Sequence, residues 1–139
     1  MSEKRRILIV EDSPDIADLL VIRLSLAGYA TCKAKDADTA IAEVFTFRPH
    51  AILLDIGLPG RDGFVVLQTI KSHARTRDIP VLMLTARQGM HDVKLALALG
   101  ARDYVTKPFD DQKLLYRIAR MMGEVVPMPT KESRTVNWR

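Results

Sequence analysis

Residues 51–55 read Ala-Ile-Leu-Leu-Asp, a run of four apolar residues with a carboxylate directly behind it. An uninterrupted apolar run of this length is typical of a strand that is covered on both faces of a parallel sheet. Residues 7–12, which read Ile-Leu-Ile-Val-Glu-Asp, and residues 81–85, which read Val-Leu-Met-Leu-Thr, have the same design. These three stretches predict buried strands that each end in polar side chains.

The segment behind the strand at residues 7–10 has the pattern of a helix. Ser13 is a suitable N-cap, and Pro14 is a suitable first helical residue. Apolar residues then recur at helical spacing as far as Leu24, and Gly28 is a natural stop. The chain therefore begins with a strand that is followed by a helix.

The next two segments continue this alternation. Residues 30–34 alternate between apolar and polar side chains, which predicts an edge strand with one wetter face. A second helix is predicted over about residues 38–47, with Ile41, Val44 and Phe45 on its buried face.

The second half of the chain repeats the pattern. Helical segments follow the strands at residues 51–54 and 81–84, and Gly100 closes the second of these helices. A short strand at residues 103–106 precedes a last helix, which Asp110 caps. Five β-α repeats predict an α/β fold with a doubly wound, five-stranded parallel sheet. The common strand order for such a sheet is 2-1-3-4-5.

That strand order gathers polar residues from distant parts of the chain at one edge of the sheet. Glu11, Asp12 and Asp55 come from neighbouring strands at the switch point, and Thr85 and Lys107 come from the strands beyond. Three carboxylates, a hydroxyl and an ammonium group then share one crevice. This set of groups suits a bound Mg²⁺ ion and an aspartate that carries a phosphoryl group.

Length and composition favour one domain with its own core. The chain has 139 residues, of which 47% are hydrophobic. No apolar stretch approaches the roughly 20 residues that span a bilayer, so we expect no membrane segment. The single cysteine, Cys32, excludes an internal disulfide and is typical of a reducing compartment, so we expect a cytoplasmic protein.

The net charge of +4 does not by itself indicate a nucleic-acid partner. The basic residues are scattered apart from a small cluster at residues 4–6, and no basic stripe is interleaved with aromatic residues. We therefore expect a solvated charged surface and no direct nucleic-acid binding by this chain. The three histidines have no partner at metal-ligand spacing, and we expect them on the surface or in loops.

Four segments together resemble the receiver domain of two-component response regulators. They read Ile-Leu-Ile-Val-Glu-Asp at 7–12, Leu-Leu-Asp-Ile-Gly-Leu-Pro-Gly-Arg-Asp-Gly at 53–63, Leu-Thr-Ala at 84–86 and Gly-Ala-Arg-Asp-Tyr-Val-Thr-Lys-Pro-Phe at 100–109. Each segment alone is weak evidence, but their order and their positions after strands are specific. The resemblance covers about residues 5–123 and implies a flavodoxin-like receiver domain over residues 1–123, with a C-terminal tail or linker over residues 124–139.

The resemblance implies a role for each residue of the crevice. Asp55 is the expected phosphoacceptor, and Glu11, Asp12, Asp55 and the carbonyl of Gly57 are the expected Mg²⁺ ligands, with Asp12 direct and Glu11 through water. Lys107 is expected to contact the phosphoryl group.

The resemblance also implies a conformational switch. The Thr85 hydroxyl is expected to move onto a phosphoryl oxygen, and the Tyr104 ring is expected to turn inward with it. A cis peptide bond between Lys107 and Pro108 is expected to aim the lysine inward.

A function follows from the resemblance. A sensor histidine kinase or a histidine phosphotransfer protein is expected to donate a phosphoryl group to Asp55, with Mg²⁺ as cofactor. The phosphorylated chain would signal through its fourth helix, fifth strand and fifth helix, about residues 88–122, to a downstream protein or an output domain missing from this chain. Such a domain catalyses only its own phosphotransfer and slow autodephosphorylation, and is not otherwise an enzyme.

Several positions depart from the family pattern. Gly57 and Arg87 offer no carboxylate or amide to orient an attacking water, which predicts a comparatively long-lived phosphate. Asp103 and Arg117 match the homodimer pattern of the winged-helix transcription-factor subfamily, in which this same surface is shared between two copies. Lys113 reverses one charge of that pattern, so a homodimer is compatible with the sequence but not required by it.

Three other functions remain to be weighed. A phosphatase that uses an aspartyl phosphate normally needs a second acid two residues after its nucleophile, where this chain has Gly57. A flavin or nucleotide binder needs a glycine-rich loop after the first strand, where Glu11 and Asp12 would repel phosphates. A receiver that serves as a scaffold or a phosphate sink, without a switch, stays open.

Overall fold

The computed structural model describes residues 3–59, 62–86 and 90–124, which form a five-stranded parallel sheet in the order β2-β1-β3-β4-β5. Its elements are β1 (Arg6–Val10), α1 (Pro14–Leu26), β2 (Ala30–Ala34), α2 (Ala37–Thr46), β3 (Ala51–Asp55), α3 (Asp62–Ser72), β4 (Val81–Thr85), α4 (Met90–Ala98), β5 (Asp103–Thr106) and α5 (Asp111–Met121). The predicted fold class and strand order are confirmed. Residues 125–139, where a tail or linker was predicted, lie outside the described part.

The sheet separates two apolar cores. On one face, the side chains of Leu8 and Leu54 pack with α2, α3 and α4. On the other face, Ile9 and Leu53 pack with α1 and α5. Successive residues of a strand point to opposite faces, so an apolar run can supply both cores at once. This explains why the central strands lack the alternation of β2, which forms one edge of the sheet and is half-exposed.

Of the two predicted N-cap side chains, Asp110 forms the expected cap hydrogen bonds and Ser13 does not. The Asp110 carboxylate accepts hydrogen bonds from the backbone N–H groups of Gln112 and Lys113, at 2.9 and 3.2 Å. Ser13 occupies the N-cap position of α1, but its side chain makes no cap hydrogen bond. Its backbone N–H instead donates to Oε2 of Glu11, at 3.2 Å. The Ser13 position therefore supports a neighbouring carboxylate.

The predicted buried face of α2 is wrong at Phe45, whose side chain is 37% exposed. The buried residues of this helix are Ala37, Ala40 and Val44. They are spaced three and four residues apart, so they form one stripe toward the sheet, and Phe45 lies about 100° further round. The Phe45 ring instead meets the His73 ring edge-on, with 5.0 Å between the ring centroids.

Gly63 allows α3 to begin against the end of β3. A Cβ atom at this position would lie 2.7 Å from the backbone oxygen of Asp55 and 3.1 Å from that of Ile56. These are backbone atoms of a buried strand end, so they cannot yield as a side chain would. The glycine therefore matters for the position of the carboxylate at the end of β3. None of the described helices combines the length and the apolar character that crossing a bilayer requires.

We expect Gly63→Ala to lower the free energy of unfolding by about 1–3 kcal/mol, because the added methyl group must displace backbone at a packed site. Urea denaturation measures this loss. The matched control is Gln68→Ala on the exposed side of α3, which should change stability by less than about 0.5 kcal/mol. Equal stability of the two variants would contradict the close approach of α3 to β3.

Candidate functional site

The carboxyl ends of four parallel strands meet at one edge of the sheet. Val10 of β1 pairs with Leu54 of β3, so the residues that follow these two positions lie side by side. Asp55 in turn pairs with Leu84 of β4. The register therefore places the acidic ends of β1 and β3 next to each other, as the strand order predicted.

Three carboxylates converge at this edge. Glu11, Asp12 and Asp55 each offer an oxygen atom, and these oxygen atoms lie within 4.8 Å of one another. Glu11 and Asp55 are buried, with 2% and 6% of their surfaces exposed, whereas Asp12 is exposed. The crevice thus has two shielded acids and one that solvent reaches.

Lys107 inserts its ammonium group between the two buried acids. Its Nζ atom lies 2.7 Å from Oε1 of Glu11 and 3.5 Å from Oδ2 of Asp55. The other oxygen of Asp55, Oδ1, accepts a hydrogen bond from the backbone N–H of Gly57, at 2.8 Å. One oxygen of Asp55 is therefore held by the backbone, and the other faces the lysine.

The electrostatics of the crevice favour an added cation. Burial raises the pKa of Glu11 to about 7, and the charge of Asp55 adds to this effect, while Lys107 opposes it. When all three carboxylates are ionised, they and the ammonium group give this cluster a net charge of −2. A divalent cation would balance that charge.

The chemistry of the donor groups fits magnesium. Mg²⁺ prefers oxygen ligands and keeps several waters in its coordination shell. The three carboxylates supply oxygen atoms, and the exposure of Asp12 leaves room for water. Within the described ranges, Glu11, Asp12 and Asp55 are the group of side chains that could hold a metal ion.

The remaining predicted residues lie around this cluster. Thr85 ends β4 and is buried, and its hydroxyl donates to the backbone oxygen of Ala86 at 3.1 Å. The Thr85 carbonyl accepts a hydrogen bond from the backbone N–H of Lys107, at 2.8 Å. The Lys107–Pro108 peptide bond is cis, as predicted. These contacts place the threonine and the lysine side by side at the end of the sheet.

Tyr104 lies outside the crevice. It pairs with Met83 in the middle of β4, and its half-buried ring packs against the core beneath α4. The predicted switch residue is therefore part of the packing on the α4 side of the sheet. Arg87, where the sequence lacks a water-orienting group, lies outside the described residues.

Two features of the site were missed by sequence reasoning. The direct ion pair between Lys107 and Glu11 joins residues 96 positions apart, and no local sequence pattern predicts it. The hydrogen bond from the Ser13 backbone to Glu11 has no sequence pattern either, because every residue except proline has an N–H group that could donate. The sequence can therefore predict which residues line the crevice but not which ion pairs and hydrogen bonds they form.

Comparison with protein families gives a match over most of the chain. The family model of the response regulator receiver domain matches residues 7–119. That range contains β2 to β5, all of β1 except its first residue, and every acid of the crevice.

Two transcriptional regulators are among the curated relatives. RpaA of Synechocystis, a DNA-binding dual master transcriptional regulator, is 41% identical over 134 residues, which are 95% of this chain and 56% of that protein. PhoB of Escherichia coli, the phosphate regulon transcriptional regulatory protein, is 41% identical over 128 residues, which are 92% of this chain and 56% of that protein. The chain therefore spans about half the length of these relatives.

Solved structures agree with the fold. A response regulator from Chloroflexus aurantiacus superposes with a TM-score of 0.83 at 32% identity, covering 88% of this chain and 100% of that one. The receiver domain of a Pseudomonas aeruginosa sensor histidine kinase has a TM-score of 0.79 at 30% identity, with coverages of 88% and 100%. In that structure a magnesium ion is coordinated in the active site cleft.

We expect Asp12→Asn to weaken Mg²⁺ binding by about tenfold or more, because it removes one of the charges that offset the cost of dehydrating the ion. Isothermal titration with Mg²⁺ measures the affinity. Asp15→Asn is the matched control, since Asp15 is exposed on the first turn of α1 and is no member of the acidic cluster. Equal affinities for the two variants would contradict a metal site at Asp12.

Proposed function

Because this chain belongs to the receiver-domain family of response regulators, we propose that it accepts a phosphoryl group on Asp55. The donor is a phosphohistidine on a sensor histidine kinase or a histidine phosphotransfer protein, and the reaction requires Mg²⁺. One observation carries the proposal. Asp55 is buried among acids, and its Oδ2 atom faces the only ammonium group of the described cluster.

The chemistry assigns a role to each group of the crevice. An oxygen of Asp55 forms a bond to phosphorus as the N–P bond of the phosphohistidine breaks, and the electron pair of that bond stays on the imidazole nitrogen. The transferring group carries charge on its outer oxygens, so neutralising groups and in-line positioning supply most of the catalysis. Glu11, Asp12, Asp55 and the Gly57 carbonyl would hold the Mg²⁺ ion. Lys107 would neutralise the phosphoryl oxygens from the other side.

Phosphorylation then shifts an equilibrium between two conformations. The Thr85 hydroxyl exchanges its contact with the Ala86 carbonyl for a phosphoryl oxygen, and the Tyr104 ring turns inward. The affected surface is that of α4, β5 and α5. A groove of about 390 Å³ already lies there, and Tyr104, Val105 and Lys113 are among the residues that line it.

The recipient of the signal is a downstream protein or an output domain outside this chain, and we place the whole process in the cytoplasm. The curated relatives are longer than this chain, and their names describe transcriptional regulators, which supports an output domain in those proteins. A tenfold preference of the partner for the phosphorylated form would correspond to a coupling of about 1.4 kcal/mol.

We expect Asp55→Asn to abolish phosphoryl transfer, because an amide is not a competent nucleophile toward phosphorus. Transfer of ³²P from a small acyl phosphate, with and without Mg²⁺, measures the reaction. The matched control is Asp78→Asn, an exposed aspartate in the loop before β4, which should be labelled as fully as the unsubstituted chain. Mg²⁺-dependent labelling of Asp55→Asn would contradict the assignment.

The charges of the α4-β5-α5 surface bear on the homodimer that the family pattern allows. Asp103 already pairs with Arg117 of the same chain, at 2.7 Å. Lys113 and Arg120 are exposed on α5 and make no ion pair with any described residue, so two copies facing each other would bring like charges together. We therefore propose that this surface meets a different protein more readily than a second copy.

We expect the phosphorylated chain to self-associate weakly and Lys113→Glu to strengthen that association by about tenfold, since it replaces repulsion by attraction. Sedimentation velocity measures the dimer fraction. Lys4→Glu, with the same change of charge at the exposed N-terminus, is the control and should have no effect. Tight dimerisation of the unsubstituted phosphorylated chain would contradict this expectation.

A further inference from the structure

A second cleft lies at the opposite edge of the sheet, where the strands begin. It has a volume of about 250 Å³ and is formed by Arg6 at the start of β1, the loop between α2 and β3, and the loop between α3 and β4. Strands rise by about 3.3 Å per residue, so this edge is roughly 15 Å from the acidic crevice. Nothing in the proposed phosphoryl transfer uses this cleft.

Arginine side chains dominate its polar lining. Arg48 and Arg75 are exposed, and neither guanidinium group has a hydrogen bond or an ion pair with another part of the described chain. Arg6 donates its Nε–H to the backbone oxygens of Phe47 and Arg48, at 3.0 and 2.9 Å. Its Nη1 atom lies 3.6 Å from Glu3, but that carboxylate is 89% exposed, so the ion pair is weak.

His50 adds a further donor. Its Nδ1 atom accepts a hydrogen bond from the backbone N–H of Arg6, at 2.8 Å, so the neutral ring carries its proton on Nε2. Burial lowers the pKa of His50, and the charges of Arg6 and Arg5 lower it further, which keeps the ring neutral. No aspartate or glutamate is among the described residues that line the cleft. The lining is therefore rich in donors and has no anionic side chain.

The backbone at Arg48 ends α2: this residue directly follows the C-cap, Phe47, at the position where helices commonly adopt the left-handed conformation. Its φ angle is 55°, in the left-handed region that residues other than glycine and asparagine rarely adopt. Among the residues that the structure describes, it is the one non-glycine residue with a positive φ. The turn at this residue brings Arg48, Pro49 and His50 to the lining of the cleft.

Part of the wall of the cleft is apolar. Phe45 and Ile79 contribute to this wall, and the Phe45 ring is partly exposed. A ligand that used the whole cleft would therefore combine an anionic group with a flat apolar body.

We propose that this cleft binds a phosphate monoester with a compact aromatic body. The guanidinium groups of Arg48 and Arg75 hold the phosphate, whose charge of about −1.5 to −2 near neutral pH matches two free cations. Planar guanidinium groups donate two parallel hydrogen bonds to phosphate oxygens, which adds geometric specificity. The aromatic body packs against Phe45. The proposal does not depend on phosphorylation of Asp55.

The test is a titration of the full chain with phenyl phosphate in the presence of a chelator, followed by amide NMR shifts. Without a divalent ion, the acidic crevice repels phosphate, and the residues whose signals shift show where the ligand binds. We expect saturable shifts at Arg48, His50 and Arg75, with a Kd at or below about 1 mM. Shifts confined to residues around Asp55, or no saturation, would overturn the proposal.

Substitutions test the arginines directly. Arg48→Gln and Arg75→Gln should each weaken phenyl phosphate binding by about tenfold, which corresponds to about 1.4 kcal/mol. Arg77→Gln removes an exposed arginine of the same loop that does not line the cleft, so it should bind as the unsubstituted chain does. Equal weakening by all three variants would show a general charge effect and overturn the site. Thermal unfolding shows whether each variant is folded. If Arg48→Gln does not fold, Arg75→Gln alone tests the site.

Related probes decide the chemistry of the ligand. Benzoate presents the same ring with a single negative charge, and inorganic phosphate presents the charge without the ring. Both should bind at least about fivefold more weakly than phenyl phosphate. Equal affinity for benzoate would overturn the assignment to phosphate, and equal affinity for inorganic phosphate would overturn the role of the apolar wall.

Discussion

The mutual repulsion of three carboxylates at one edge of the sheet is the constraint on which the rest of the structure depends. Two like charges 4 Å apart repel by about 4 kcal/mol at an effective dielectric of 20, and Lys107 offsets only part of that repulsion. A flexible scaffold would move the acids apart. Here Glu11 and Asp55 are attached to the ends of β1 and β3, which are buried on both faces. Gly63 allows α3 to start directly against the end of β3. The two cores thus hold together groups that would otherwise separate.

Most of the fold could be read from the sequence because burial dictates it. A strand covered on both faces must be apolar at every position, and residues 51–54 match that pattern. Helical faces are harder, because small residues carry no strong pattern. Ala37 and Ala40 lie on the buried face of α2, whereas size and apolar character alone favour Phe45 as a core residue. Alanine packs close to a sheet, and a bulky ring at the margin of the helix finds a partner on the surface instead.

The candidate site shows the same limit at the level of contacts. Parallel strands bring their carboxyl ends together whatever the side chains are, so the meeting of Asp12 and Asp55 followed from topology alone. The choice of Lys107 between two acids did not, since it depends on differences of less than 1 Å. The arginine cleft could not be predicted from the sequence for a related reason. Its basic residues come from three separate segments, and a net charge describes the whole chain without saying which charges become neighbours.

The position of Lys107 also implies an order of events for the proposed phosphoryl transfer. The ammonium group lies 2.7 Å from Glu11 but 3.5 Å from Asp55, so its stronger contact is with the acid that does not react. If Mg²⁺ were held by Glu11, Asp12 and Asp55, Glu11 would share part of its charge with the ion, and the Lys107 ammonium group would become available to a phosphoryl oxygen. The metal would then contribute twice, once through its own charge and once through the lysine that it releases. A crevice without Glu11 would hold its lysine on Asp55 from the start and would lose this second contribution, although it could still bind the ion.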